Sequence, residues 1–593
     1  MCQQSCHSRL SMGRRTYPEG SQDVPLEARK KTATFIKGSN VMIALRQTIP
    51  DVRQSVNMKY VKLGYHYLIK HLMLFLLVCL LFLIFAEIGN LGSAREVMVQ
   101  LWKHLQFNLL YVMLCSGATA FFIALYIMSR PNSIYILDFA CFEPNPDRKC
   151  SYELLEYFAR RAGVYSEENI AFQKKVFLRS GLGEETYLPP FAYHEPQVQP
   201  SMQQARIESE EVMFGVLDEL FLKTGLTPKD VGILIVNCSC FTPTPSLTSM
   251  IVNRYKMRSN ICSFNLSGMG CSASMIAIDL AKDMLRSHSN SYAIVLSTEN
   301  ITLNWYCGNK KSMLLSNCLF RVGGAAILLT NKRSERRRAK YELIHCVRTH
   351  RAPDDKSFQS VIQEEDEDGV VGVSLSKHLM EVAGDALKTN MTTLGPLVLP
   401  ISEQLRFLLN LISRKVFHSA RKPYIPDFKL AFDHFLLHAG GRGVLDELQK
   451  NLKLSDFLME PSRTTLHRFG NTSSSCLWYE LAYVEAKERV KKGDRLFQVG
   501  IGSGFKCNSV VWKALRTVKQ PSRSPWLECI HKYPGNISTN ITDTSSKNQL
   551  IYKTVEGKLF DCRKGRELSD DEVLSITKDD PTEEQKSNNL VLP

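Results

Sequence analysis

From about Ile136 to Val499, short strand-like runs at 231–236, 292–297, 325–329, 341–347 and 495–499 alternate with stretches of helical period at 208–223, 272–286, 375–387, 443–451 and 479–491. A chain that keeps switching between these two periods can bury its apolar residues only in mixed sheets with helices packed on their faces. One junction in that pattern also carries chemistry. Asn265-Leu-Ser-Gly-Met-Gly-Cys-Ser-Ala-Ser274 joins the end of a strand (261–264) to a helix begun by Met275, Ile276 and Ile278. It delivers Cys271 at the helix N-terminus, where free N–H groups and the helix dipole favour a thiolate. A buried structural cysteine, which is what most cysteines are, is the plainer reading of this turn taken alone.

The 593 residues exceed one ordinary domain. Lys and Arg number 74 against 59 Asp and Glu, a net charge of +15 that suits an anionic membrane face or a polyanionic small molecule. No nucleic-acid-binding signature accompanies it, and no nucleic acid partner is expected. The 17 cysteines lack regular spacing and a signal peptide, which points to free thiols in a reducing compartment. Residues 72–86 are 15 apolar residues in a row, and 107–128 contain no charge across 22. A span needs about 20 predominantly apolar residues, so a hairpin with helices at about 67–88 and 107–128 is expected. Arg29, Lys30, Lys31, Lys37, Arg46, Arg53, Lys59 and Lys62 precede it. They place both the N-terminus and the long C-terminal part in the cytosol. The expected organisation is a mobile arm at 1–55, a membrane region at 56–130, globular halves at 131–335 and 336–535 divided near the basic loop 333–340, and a polar, disordered tail at 536–593.

Four histidines stand before small or turn-forming residues: His350, His434, His438 in His438-Ala-Gly-Gly441, and His467, which leads to Asn471. Cys271, a histidine such as His438 and Asn471 would supply a nucleophile and two hydrogen-bond donors, the requirements of acyl transfer and thioester enolate chemistry. His434 and His438 could share a helix face, yet position 435 is Phe where a zinc protease has Glu, and no cysteine pair has zinc spacing. No metal is expected. Gly500-Ile-Gly502-Ser-Gly504-Phe-Lys506 lacks the Walker spacing, and suits a turn whose N–H groups, with that of Cys271, form an oxyanion hole through Gly502, Gly504 and Phe505.

The segments 265–274, 347–358, 372–400, 424–441, 466–475 and 502–509 resemble the plant 3-ketoacyl-CoA synthases, condensing enzymes of very-long-chain fatty acid elongation. The likeness runs from roughly Val56 to Tyr533. It implies a thiolase-like fold, two related αβαβα halves in one five-layered core behind the membrane hairpin. Cys271 is then the nucleophile, His438 and Asn471 the paired donors, and His350, His434 and His467 supporting active-site histidines. The substrates implied are a long-chain acyl-CoA and malonyl-CoA, with no cofactor. The setting implied is the endoplasmic reticulum membrane, as a homodimer alongside the ketoacyl reductase, dehydratase and enoyl reductase of elongation. The family usually has glycine where this chain has Ser267 and Ser274, and Gly-Ala where it has Ala352-Pro353. Added side chains there would narrow the acyl tunnel or strain the loop. A polyketide-type enzyme with other starters, and a non-catalytic elongase component, are the alternative readings.

Overall fold

The computed structural model describes residues 133–416 and 424–535, together with 99, 103, 113, 116–123, 551–553, 558–561 and 566–569. The chain divides into units Met1–Ile127 and Met128–Pro593. In the first unit the described residues are helical, and the arm at 1–55 and most of both apolar segments lie outside them. Among the described residues no helix is long and apolar enough to cross a membrane.

The second unit contains β1 Tyr135–Cys141, β2 Lys149–Cys150, β3 Thr186–Tyr187, β4 Val231–Asn237, β5 Cys262–Leu266, β6 Tyr292–Thr298, β7 Gly324–Thr330, β8 Tyr341–His350, β9 Val361–Glu365, β10 Val371–Leu375, β11 His434–Leu437, β12 Arg495–Gly502 and β13 Lys506–Ala514. Nine of them form one sheet in the order β11-β12-β13-β8-β1-β7-β6-β4-β5, while β9 and β10 make a separate hairpin. The sheet is two sheets joined at a narrow seam, because β1 meets β8 through only Tyr135–Glu342 and Ile136–Tyr341. Outward from the seam, β1, β7, β6 and β4 are related antiparallel, antiparallel, parallel. The strands β8, β13, β12 and β11 repeat those relations. The duplication, invisible by eye in the sequence, is plain in the strand order. The second half begins after the 3-10 turn Arg333–Arg337.

Alternation along the strands sorts the core into layers. Tyr292, Ile294 and Leu296 of β6 pack with the helix residues Val212, Met213 and Val216 on the outer face. Ala293 and Val295 face inward, with Ala277 and Ile278 of the helix Ala273–Ser287 and Trp478 of the helix Cys476–Ala486. All eleven residues of Cys476–Ala486 are buried, as an interior helix requires. Each central helix starts from a turn pressed against the opposite sheet: Gly270–Ser272 against β12, and Ser473–Ser475 against β6. The two starting points therefore meet at the junction of the halves.

Three expectations change. The helix expected from 375 starts at Leu379, because Leu375 ends β10. The helix expected to reach 491 stops at Ala486, followed by Glu488 at φ +53°. In the tail, expected to be disordered, the described residues Ile551–Lys553, Leu559–Asp561 and Arg566–Glu567 form a three-stranded sheet. Its Phe560 is buried with Leu154, Leu155 and Phe158, a local apolar anchor that the polar average of the tail conceals.

Candidate active site

After β5 the chain turns through Gly268 (φ +64°) and Gly270 (φ +66°) into the 3-10 turn that carries Cys271. Gly270 is required twice over, since a Cβ there would also lie 2.4 Å from Ser503 N. From the other half, the end of β12 closes on the same spot. A Cβ on Gly502 would stand 2.6 Å from Cys271 N and 2.8 Å from Ser272 N.

Asn471 is placed by its backbone, which donates to Leu319 O at 3.1 Å and accepts from Arg321 N at 3.0 Å. Its Oδ1 accepts from Ser473 N at 2.9 Å and one N–H of Nδ2 donates to Gly440 O at 3.3 Å. With the oxygen engaged, the amide presents its remaining N–H to the cavity. His438 extends β11, donating its backbone N–H to Val499 O at 3.1 Å, and a Cβ on Gly440 would stand 3.1 Å from its Nε2, so the glycine keeps that edge of the buried ring clear. Its Nδ1 lies 3.1 Å from Cys476 Sγ. Burial pushes the Cys476 thiol far up, so the sulfur keeps its proton and can donate it to Nδ1 in the tautomer that carries the ring proton on Nε2. Burial also holds His438 down to about 4, leaving a neutral imidazole at physiological pH.

Cys271, His438, Asn471 and the turn of Gly502, Ser503, Gly504 and Phe505 line one cavity of about 990 Å³. Its apolar wall includes Phe358, Val361, Leu375, Met380 and Ala383, and Lys175, Arg179, Lys377 and Arg442 also line it. Cys271 keeps part of its surface open, yet burial pushes its thiol up to about 12. A hydrogen bond from Ser473 opposes the rise and the Glu299 carboxylate adds to it. This corrects the expected thiolate: desolvation outweighs the modest help of a helix end.

None of the three other histidines lines the cavity. His350 is exposed at the end of β8, its Nδ1 accepting from Ala352 N at 3.2 Å. His434 opens β11, and four residues of strand separate it from His438 by about 13 Å; its Nε2 pairs with Asp494 Oδ2 at 2.9 Å. Phe435 lies between them on a strand, so no shared helix face exists. His467 Nδ1 bonds Tyr533 Oη at 3.0 Å. His434 and His467 are thus tied to neighbouring elements, and His350 to its own turn. The expected narrowing of the tunnel is likewise corrected. Ser267 and Pro353 are exposed, neither serine has positive φ, and Ser274 turns into the core to accept from Trp478 Nε1 at 2.7 Å. The sequence reading missed Glu299, Ser473 and Cys476, although Asn471-Thr-Ser-Ser-Ser475 places a hydroxyl two residues beyond the donor.

Residues 126–416 match the family described as FAE1/Type III polyketide synthase-like protein, and 430–514 match the 3-Oxoacyl-[acyl-carrier-protein (ACP)] synthase III C terminal. The chain is 56% identical to 3-ketoacyl-CoA synthase 4 of Arabidopsis thaliana over 84% of this chain and 96% of the relative. It is 58% identical to 3-ketoacyl-CoA synthase 11 of the same plant over 83% and 96%. Among solved structures it is similar to CsyB complexed with CoA-SH, with TM-score 0.51 and 18% identity over 64% of this chain and all of that one. PKS-I from the brown alga Ectocarpus siliculosus gives TM-score 0.51 and 14% identity over 65% and 100%. These two likenesses concern the fold, which is thiolase-like.

Proposed function

The chain belongs to the 3-ketoacyl-CoA synthases, acyltransferase condensing enzymes of fatty acid elongation, and we propose that it joins a long-chain acyl group to malonyl-CoA through an acyl-Cys271 intermediate. The observation that carries this reading is the convergence of Cys271 with two neutral, preoriented donors, His438 and Asn471, on one cavity.

In the first half-reaction the Cys271 sulfur attacks the thioester carbonyl and CoA leaves. The N–H of Cys271, with those of the turn Gly502 to Phe505, receives the tetrahedral oxyanion. In the second, the malonyl thioester oxygen accepts from His438 Nε2–H and the free N–H of Asn471. That charge stabilisation favours loss of carbon dioxide, and the resulting carbanion attacks the acyl-cysteine. The product is a 3-ketoacyl-CoA two carbons longer, and the chemistry requires no metal or redox cofactor. The apolar wall from Val361 to Ala383 suits the acyl chain, and Lys175, Arg179 and Arg442 suit the CoA phosphates. The outward placement of Ser267 and Pro353 removes the sequence argument for a non-catalytic component.

We further propose a membrane setting, with the catalytic unit on the cytosolic face of the endoplasmic reticulum. The apolar segments 72–86 and 107–128 support it. So does the helix Ile401–Val416, whose Ile401, Leu405, Leu408, Leu409 and Ile412 are exposed on a chain with a basic surplus. The exposed parallel edge strand β5 suits a second copy of the chain, and the other elongation enzymes would consume the ketoacyl product. Membranes carrying the Cys271→Ala variant test the reaction when given labelled malonyl-CoA and a long-chain acyl-CoA. Loss of labelled product is expected, and undiminished elongation would refute the assignment. His438→Ala and Asn471→Ala should weaken decarboxylation more than acyl loading.

A further inference from the structure

Beside the nucleophile lies a carboxylate that the chemistry above leaves without a task. Glu299, just beyond β6, is 9% exposed. Its Oε1 accepts from Ser239 N at 3.1 Å, Cys240 N at 3.0 Å and Cys238 Sγ at 3.4 Å. Its Oε2 is less engaged, with Ser239 N at 3.2 Å and Ser473 Oγ at 3.3 Å. The same Ser473 oxygen stands 3.5 Å from Cys271 Sγ.

A serine hydroxyl has one proton and two lone pairs. When Ser473 gives that proton to Glu299, its lone pairs are left to accept the S–H of Cys271. The three groups then form a chain of thiol, hydroxyl and carboxylate. Ser473 holds this place at φ +56°, a backbone conformation that L residues other than Asn and Asp seldom adopt. His438 offers no rival acceptor in the tautomer protonated at Nε2, because its other nitrogen, Nδ1, is turned to Cys476.

We propose that Glu299, acting through Ser473, takes the Cys271 proton during acyl loading and returns it to the departing CoA sulfur. The proposal rests on Cys271 being the nucleophile. The S–H bond breaks as its proton passes to Ser473 Oγ, and the Ser473 proton passes to Glu299 Oε2. The sulfur pair forms the bond to the thioester carbonyl carbon, and the carbonyl π pair moves onto oxygen. When that pair returns, the bond to CoA sulfur breaks, and the proton travels back through Ser473 to neutralise the CoA thiolate. Protons and electrons balance without a co-reactant. The relay also explains how attack proceeds at a thiol packed beside a carboxylate. Ionisation to solvent would leave two negative charges side by side in a desolvated site, whereas transfer to Glu299 keeps the cluster at one. Glu299 acts on the thiol through Ser473, so its role is to position and receive the proton.

Two half-reactions separate this role from a structural one. Single-turnover release of CoA from a long-chain acyl-CoA reports loading. Release of carbon dioxide from malonyl-CoA without an acyl donor reports the His438 and Asn471 pair. Glu299→Gln and Ser473→Gly are each expected to slow loading by about 10²-fold, the double variant no further, with decarboxylation preserved. Loading at the wild-type rate in either variant would overturn the relay. So would a parallel loss of both half-reactions, or multiplied losses in the double variant. Glycine suits the positive φ of Ser473, so Ser473→Gly decides the matter if Glu299→Gln fails to fold. A Cys271→Ala enzyme that still released CoA in one turnover would instead refute the nucleophile assignment beneath the proposal.

Discussion

Ser274→Ala probes the bond that ties the two central helices together. Trp478 Nε1 donates to Ser274 Oγ at 2.7 Å, and both side chains are fully buried. Removing the oxygen leaves an indole N–H in the core with no water to replace its partner, a cost of about 1–3 kcal/mol. Trp478→Phe removes the donor and loses the volume and contacts of the larger ring, at a similar or greater cost. In the double variant the orphaned N–H no longer exists. The second change should therefore cost less than it does alone, and a coupling of about 1–2 kcal/mol is expected. Chemical denaturation of the four proteins, followed by far-ultraviolet circular dichroism, measures it. Additive losses, agreeing within about 0.5 kcal/mol, would refute the idea that Ser274 serves the core. An elongation product series that lengthens in Ser274→Ala would instead restore the view that this serine narrows the tunnel.

Gly502→Ala would drive a Cβ to 2.6 Å from Cys271 N and 2.8 Å from Ser272 N, backbone atoms that cannot swing aside. Acyl loading should fall by about 10²-fold through displacement of the nucleophile, as single-turnover CoA release would show. His438 gives a pH signature. Burial holds it to about 4, against 6.5 for an exposed imidazole, so between those values the unfolded chain binds a proton that the folded chain does not. Its contribution is present above pH 6.5 and lost as pH falls toward 4, by up to about 3 kcal/mol. Denaturation midpoints at pH 5 and 7 should therefore differ less in His438→Asn than in the wild type. Arg179→Ala with Arg442→Ala should raise KM for acyl-CoA more than it lowers kcat. The gap between variant and wild type should shrink as salt is added.

The sheet strands were the most legible part of the chain. The strands β4, β6 and β7 are continuous apolar runs bounded by polar residues, and the structure extends each expected segment by only a residue or two. The duplication was not legible, because it resides in strand pairing and not in residue identity. At the site, the small residues around Cys271 and after His438 marked where side chains stand clear, and the resemblance joined them to Asn471. The remaining histidines show the limit of residue type as a guide. His434 and His438 both pass as site candidates four residues apart, yet a strand carries one to Asp494 and the other to the cavity. Glu299 and Ser473 were hidden because they lie 174 residues apart. Only the packing of each starting turn against the opposite sheet brings them together.

The central claim is that Cys271 holds the acyl chain. Mass analysis of peptides from enzyme quenched after brief exposure to a labelled long-chain acyl-CoA tests it most directly. The account predicts a thioester adduct on the Cys271 peptide that disappears when malonyl-CoA is added and never forms in Cys271→Ala. An adduct on Cys240, which lines the same cavity, or condensation product formed with Cys271 unmodified throughout, would contradict it.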